Sequence, residues 1–189
     1  MNETLFADIE QRAPAFAKAV GRDHLQRVVS AGRQVTISTG ASLIEDGMAV
    51  DAMYLILDGS VAVSIAHGGQ RLLVGRLGAG QFVGEVALLS DDPIASATVV
   101  AETEVRLLCV RRADFERLLD AHPPLASAWL RQLTGMLVER LRASAAAVTS
   151  SGGGMALSGA DRLKTTDAER HRGLLHALRE LLGLEAVRD

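Results

Sequence analysis

The sequence predicts a mainly β domain with helices at both ends, a small barrel or sandwich closed on itself so that few strand edges stay open. Two observations carry this. Between Gln34 and Val110 the chain holds a succession of short runs rich in Val, Ile and Leu. Between the runs stand glycine-containing pairs of the kind that accept the positive φ of tight turns. A third observation sets the flanks: before and after this region, apolar residues recur every three or four positions.

From Thr4 to about Val29, Leu5, Phe6, Ile9, Phe16, Val20, Leu25, Val28 and Val29 fall at helical spacing, broken by Pro14 and Gly21, which reads as two or three short helices. The strand candidates follow as Gln34 to Ile37, Ser42 to Glu45, Met53 to Leu57, Ser60 to Ile65, Arg71 to Leu77, Ala97 to Ala101 and Val105 to Val110. Thr39-Gly40, Asp46-Gly47, Asp58-Gly59, Gly68-Gly69 and Gly78-Ala-Gly80 supply the turns. Phe115, Leu118 and Leu119 then mark a short helix that stops at Pro123-Pro124. A longer helix over 124–148 carries the stripe Leu125, Trp129, Leu130, Leu133, Met136, Leu137 and Leu141, wide enough to cover the β region or to leave a seam for a second subunit. The folded domain is expected over 1–148, a flexible Ser-Gly linker over 149–160, and one amphipathic helix over 161–189. Thr166 and Glu169 have capping-box spacing there, and Leu174, Leu175, Leu178, Leu181 and Leu182 form one apolar face.

At 189 residues the chain has room for one domain of about 150 and a tail. Aromatic residues are only 3% of it, too few for a base-stacking surface, and 20 Lys and Arg against 23 Asp and Glu leave a net charge of −3, so no basic field exists for nucleic acid or an anionic membrane. Only 41 residues follow Val148, without a second helix of basic character, so no sequence-specific DNA binding is expected. The N-terminus lacks a basic start and an apolar core, and no run of about 18 apolar residues occurs. One cysteine, Cys109, and this absence of a signal or membrane span suggest a cytoplasmic protein.

No pair of the histidines His24, His67, His122, His171 and His176 has the i, i+4 spacing of a helical zinc site. Cys109 lies in an apolar strand with no base in sight. With neither a metal set nor a nucleophile and base pair, the chain is not read as an enzyme, and no cofactor is expected. The informative segment is Gly80 to Val99, GQFVGEVALLSDDPIASATV. After a β run it places a glycine before Glu85-Val-Ala-Leu-Leu, a short helical turn whose free N–H groups favour an anion such as phosphate. The alternative is that Glu85 is an ordinary first-turn acid and the glycines are hairpin turns.

This segment resembles the phosphate-binding cassette of cyclic-nucleotide-binding domains. So do its surroundings: Asp46-Gly47 before Met53-Tyr-Leu-Ile-Leu-Asp-Gly59, the Leu77-Gly-Ala-Gly-Gln-Phe run, the Val105 to Val110 strand and the Asp114-Phe-Glu-Arg-Leu-Leu helix. The resemblance spans roughly Leu5 to Val148. It implies a jelly-roll β-barrel with N-terminal helices and a long C-terminal helix. It implies further that Gly84, Glu85, Val86 and Ala87 hold ribose and cyclic phosphate, with Glu85 accepting from the ribose 2′-hydroxyl. Ala95, Ser96 and Ala97 would close the cassette, and Arg140 and Leu137 would lie near the purine. The ligand would be cyclic AMP or cyclic GMP.

One departure stands out. The family's phosphate-pairing arginine is missing, because the chain reads Pro93-Ile94-Ala95-Ser96-Ala97-Thr98, with Ile94 or Ala95 at that position. A charge-assisted hydrogen bond contributes roughly 1.5–3 kcal/mol and a buried charge left without its partner costs about 3–5 kcal/mol, which weakens cyclic-nucleotide binding by a factor on the order of ten to several thousand unless Arg71 or Arg76 substitutes. The expected function is a regulatory ligand-sensing domain with weak or altered cyclic-nucleotide binding. The other reading is a ligand-free dimerisation or docking module. In either case the 124–148 helix is expected to form a homodimer, and the C-terminal helix to meet a partner protein or its own dimer.

Overall fold

A computed structural model describes residues 3–67, 70–90 and 92–151. Three short helices open it: α1 (Glu3–Arg12), α2 (Pro14–Val20) and α3 (Arg22–Ala31). Pro14 stands where its missing N–H costs nothing, and Gly21, at φ 78°, turns the chain between α2 and α3. Eight strands follow: β1 (Arg33–Ile37), β2 (Ser42–Ile44), β3 (Ala52–Asp58), β4 (Ser60–His67), β5 (Gln70–Gly78), β6 (Phe82–Val83), β7 (Thr98–Ala101) and β8 (Val105–Arg111). A one-turn helix, α4 (Glu85–Leu89), interrupts them, and α5 (Arg112–Ala121) and α6 (Pro123–Ser151) complete the described chain.

The strands make two antiparallel sheets, ordered β1-β8-β3-β6 and β2-β7-β4-β5. No described ladder joins them, so the jelly roll is a two-sheet sandwich and not a closed barrel. The central strands β3 and β8 bury nearly every residue, Met53, Leu55, Ile56, Leu57, Leu107 and Leu108 among them. Both faces of that sheet are covered, one by the opposite sheet and the other by helices α1, α3 and α5. Arg106 on β8 fixes the entry of the chain: its Nη1 donates to Asp8 on α1 at 2.6 Å, and its Nη2 lies 3.8 Å from Asp58.

Few aromatics are present, and they converge. Trp129 on α6, wholly buried, meets Phe115 of α5 at 5.0 Å, Phe16 of α2 at 5.5 Å and Phe82 of β6 at 6.5 Å between ring centroids. Phe82 stands two residues before Gly84, so this cluster links the start of the cassette with the first turns of α6.

The sequence reading recovers the three N-terminal helices and each of its seven strands to within two residues at an end. It misses β6, whose two residues are too few for any periodicity to register. The last helix begins at Pro123 and continues to Ser151, so 149–151 are helical where a linker was expected. The rest of that linker and the C-terminal helix lie outside the described residues. Residues up to Thr134 form one compact unit, and a second begins at Gly135.

The Trp129 indole N–H is buried without a hydrogen-bond partner, although its ring is packed on every side. Trp129→Ala is expected to cost about 3–5 kcal/mol of unfolding free energy through the cavity it leaves. Trp129→Phe removes the unsatisfied donor and keeps a ring, so denaturant titration should show well under half that loss.

Candidate functional site

The site begins with a backbone constraint. β6 pairs with β3, Tyr54 opposite Val83 and Leu55 opposite Phe82, and the next residue, Gly84, adopts φ 82° and ψ −1°. A Cβ at Gly84 would stand 2.7 Å from the Ala52 carbonyl oxygen and 3.3 Å from Ile44 Cδ1. Only glycine meets both conditions, the left-handed turn and the close approach. From it α4 starts, with the Leu88 N–H donating to the Gly84 carbonyl at 3.3 Å.

Glu85 and Thr98 are the buried polar or charged residues of the described chain, and Glu85 is only 3% exposed. A carboxylate is seldom placed so deep without a purpose that repays its desolvation. Val86 is half-buried, Ala87 is buried, and Thr98 Oγ1 accepts from the Asp46 N–H at 3.2 Å, anchoring the 46–47 turn to β7.

Arg112, which the sequence reading did not single out, holds the other end of α4. Its Nη1 donates to the Leu88 carbonyl at 3.1 Å, its Nη2 donates to that of Ala87, and Glu116 lies 3.6 Å away. A guanidinium on the last carbonyls of a helix satisfies acceptors that would otherwise be orphaned. The Arg-Arg pair at 111–112 carries no periodicity that marks which side chain turns inward, so the role was illegible in sequence.

In the closing segment Ile94 and Ala95 differ in exposure. Ile94 faces Ala49 across an isolated bridge and is 43% exposed, whereas Ala95 is 7% exposed and exchanges backbone hydrogen bonds with the 47–48 turn at 2.8 Å. Ser96 is exposed and Ala97 half-buried. Ala95 is thus the buried residue of this bend and Ile94 an exposed one. Of the proposed substitute cations, Arg76 donates through Nε to Glu102 at 2.8 Å and Arg71 is exposed beside it on the outward face of β5. Arg140 and Leu137 belong to α6 beyond Thr134, in the second unit, and are not among the residues that the first unit brings together.

The inner face of β4 and β5 supplies a wall that the sequence reading did not identify. Val61 opposes Leu77, Val63 opposes Gly75 and Ile65 opposes Leu72, so these six share a face. Val61 and Ile65 are buried, but Val63, Leu72 and Leu77 are only half-buried, and a Cβ at Gly75 would meet nothing within 4 Å. The wall therefore fronts open space and is apolar.

A separate cavity of about 260 Å³ lies between β2, the 45–51 loop and Tyr54, whose phenol pKa is pushed up chiefly by burial.

Comparison with known proteins agrees with this geometry. The family model described as the cyclic nucleotide-binding domain matches residues 34–122. A cyclic nucleotide-gated potassium channel of Mesorhizobium japonicum is 38% identical over 113 residues, 60% of this chain and 30% of the channel. The cAMP-dependent protein kinase regulatory subunit of Yarrowia lipolytica is 37% identical over 83 residues, 44% of this chain and 21% of that one. The chain thus spans less than a third of the length of these relatives. A cyclic nucleotide-binding domain from Methylobacillus flagellatus shares the fold, with a TM-score of 0.68 at 21% identity over 79% of this chain and 89% of its own.

Gly84→Ala tests the constraint on which the site is built. Strain at a left-handed position, about 1–3 kcal/mol, adds to the approach of the Ala52 carbonyl. The variant is expected to melt at least about 4 °C below the parent, and Gly135→Ala, with open space around its Cβ and a helical backbone, at or above it.

Proposed function

We propose, from the premise that residues 34–122 belong to the cyclic nucleotide-binding domain family, that this chain is a regulatory ligand-sensing domain whose cassette binds cyclic nucleotides weakly. The observation that carries the reading is the pairing of an intact frame with a missing charge. The left-handed Gly84 before α4 and the burial of Glu85 support the frame, and the closing segment carries alanine at buried position 95 and half-buried position 97. In this reading Gly84, Glu85, Val86 and Ala87 contact the ligand's ribose and phosphate, Ala95, Ser96 and Ala97 border it, and Arg140 is the candidate purine contact.

Occupancy has two physical routes out of the site. Arg112 joins the carbonyl end of α4 to the first turn of α5, and Phe82 joins the strand before Gly84 to Trp129 on α6. A ligand that shifts α4 must disturb one of these contacts, because packed interiors accommodate displacement by repacking and not by compression.

A second reading, a dimerisation module, is favoured by one observation. Leu130, Val138 and Leu141 are 37%, 39% and 40% exposed along α6, an apolar series at helical spacing. The dimer is compatible with ligand sensing and would use this helix. The two predictions are separable.

Ala95→Arg restores a cation at the buried position and is expected to tighten cyclic AMP or cyclic GMP binding at least about tenfold by calorimetry, about 1.4 kcal/mol. Ile94→Arg, which places the charge at the exposed position, should change nothing. If neither variant responds while both stay folded, the docking reading replaces this one. For the dimer, light scattering at tens of micromolar should give twice the chain mass, and Leu141→Glu should reduce it to one. A monomeric parent at that concentration removes the dimer.

A further inference from the structure

We propose that the cavity of about 260 Å³ between β2, the 45–51 loop and Tyr54 binds a small alkylammonium ion, a short aliphatic chain ending in a protonated amine. This site does not depend on how the cassette is occupied.

The lining of this one space has two kinds of chemistry. Ile44 and Val50, both buried, supply an apolar wall, and Met48 lines the cavity while 60% exposed, so the space opens to solvent beside a flexible thioether. Glu45 and Asp51 line it too, and among the described residues neither carboxylate forms an ion pair or a side-chain hydrogen bond. No arginine, lysine or histidine lines the cavity to answer them. Two carboxylates beside an apolar wall favour a cation with an apolar body.

Tyr54 adds the third component. Burial raises its phenol pKa, Cys109 and Asp51 add to the rise, and Arg33 and Arg111 oppose it from β1 and β8 without lining the space. The hydroxyl is therefore neutral near pH 7, its oxygen an acceptor for an ammonium N–H and its ring a face for the cation. Among the described residues no three His, Cys, Asp or Glu side chains come together to hold a metal ion, which points to an organic cation. The volume lies below the range of about 300–1,000 Å³ that encloses drug-sized molecules, so the ligand is short.

The 45–51 loop is also tied to the closing segment. The Gly47 N–H donates to the Ala95 carbonyl and the Ala95 N–H to that of Met48, both at 2.8 Å, and the Val50 N–H donates to the Pro93 carbonyl at 2.7 Å. A ligand lodged behind this loop binds the closed form and makes these bonds open less often.

Calorimetric titration of the full chain with pentylammonium, 1-pentanol and pentanoate isolates the charge, because the three share one chain length. Pentylammonium is expected to bind at least about fivefold more tightly than pentanol, a modest factor because both carboxylates are exposed, and pentanoate more weakly than either. The double variant Glu45→Gln, Asp51→Asn should keep the melting temperature and lose the preference for the amine. With pentylammonium bound, the amides of Gly47, Val50 and Ala95 should exchange more slowly than in the free chain. Equal affinity for pentanol, an undiminished preference in the double variant, or no binding of pentylammonium to folded protein at millimolar concentration overturns the proposal.

Discussion

The approach of Gly84 to the Ala52 carbonyl is the contact on which the site depends. It brings the backbone leaving β6 so near β3 that no side chain fits between them, and it bends the chain through a left-handed residue straight into α4. β3 is the most deeply buried strand, hydrogen-bonded to β8 on one side and β6 on the other. A short helix of five residues has little stability of its own, since nucleation is costly and few bonds repay it. α4 exists because its two ends are pinned from outside, by the β3 backbone at Gly84 and by Arg112 at Ala87 and Leu88. The position of Glu85 follows from that.

Such an arrangement is rigid in one sense and poised in another. The sheets supply the rigid part, with dispersion and burial spread over Met53, Leu55, Leu107, Leu108 and their neighbours. The poised part is the set of contacts between the cassette and the helices after β8. These include a guanidinium on helix carbonyls and an aromatic cluster with one unsatisfied indole N–H. A buried donor without a partner destabilises the arrangement that contains it, and thereby lowers the cost of leaving it. The ligand sensing proposed for this chain needs a pair of states close in energy, and an unsatisfied indole N–H in the packing of α6 lowers the gap between them.

Much of this was legible in the residues. Short runs rich in Val, Ile and Leu between glycine turns located seven of the eight strands, and proline and glycine punctuation located the helices. The turn at Gly84 into α4 was legible because a glycine before an acidic helical run has a specific backbone meaning, whereas its likeness to a phosphate-binding cassette came from the family resemblance. Other features were not. The register of Ile94 against Ala95 turns on a single bridge to Ala49, which no local pattern contains. The role of Arg112 depends on its facing a helix that lies 23 to 27 residues earlier in the chain. The open wall at Gly75 arises from cross-strand pairing with Val63, and a glycine inside a strand reads in sequence only as a weak point. The closed barrel inferred from family resemblance became two sheets because no ladder among the described strands joins their edges.

The central claim is that the segment from Gly84 through α4, held by the β3 backbone at one end and by Arg112 at the other, is the ligand-binding cassette. Hydrogen exchange of the full chain, with and without millimolar cyclic AMP or cyclic GMP, tests it most directly. The account predicts slowed exchange at the amides of 84–89, with smaller changes at the start of α5, where Arg112 passes the effect on. Slowing confined to regions outside 84–89, or no change in the 84–89 amides at saturation, would contradict it.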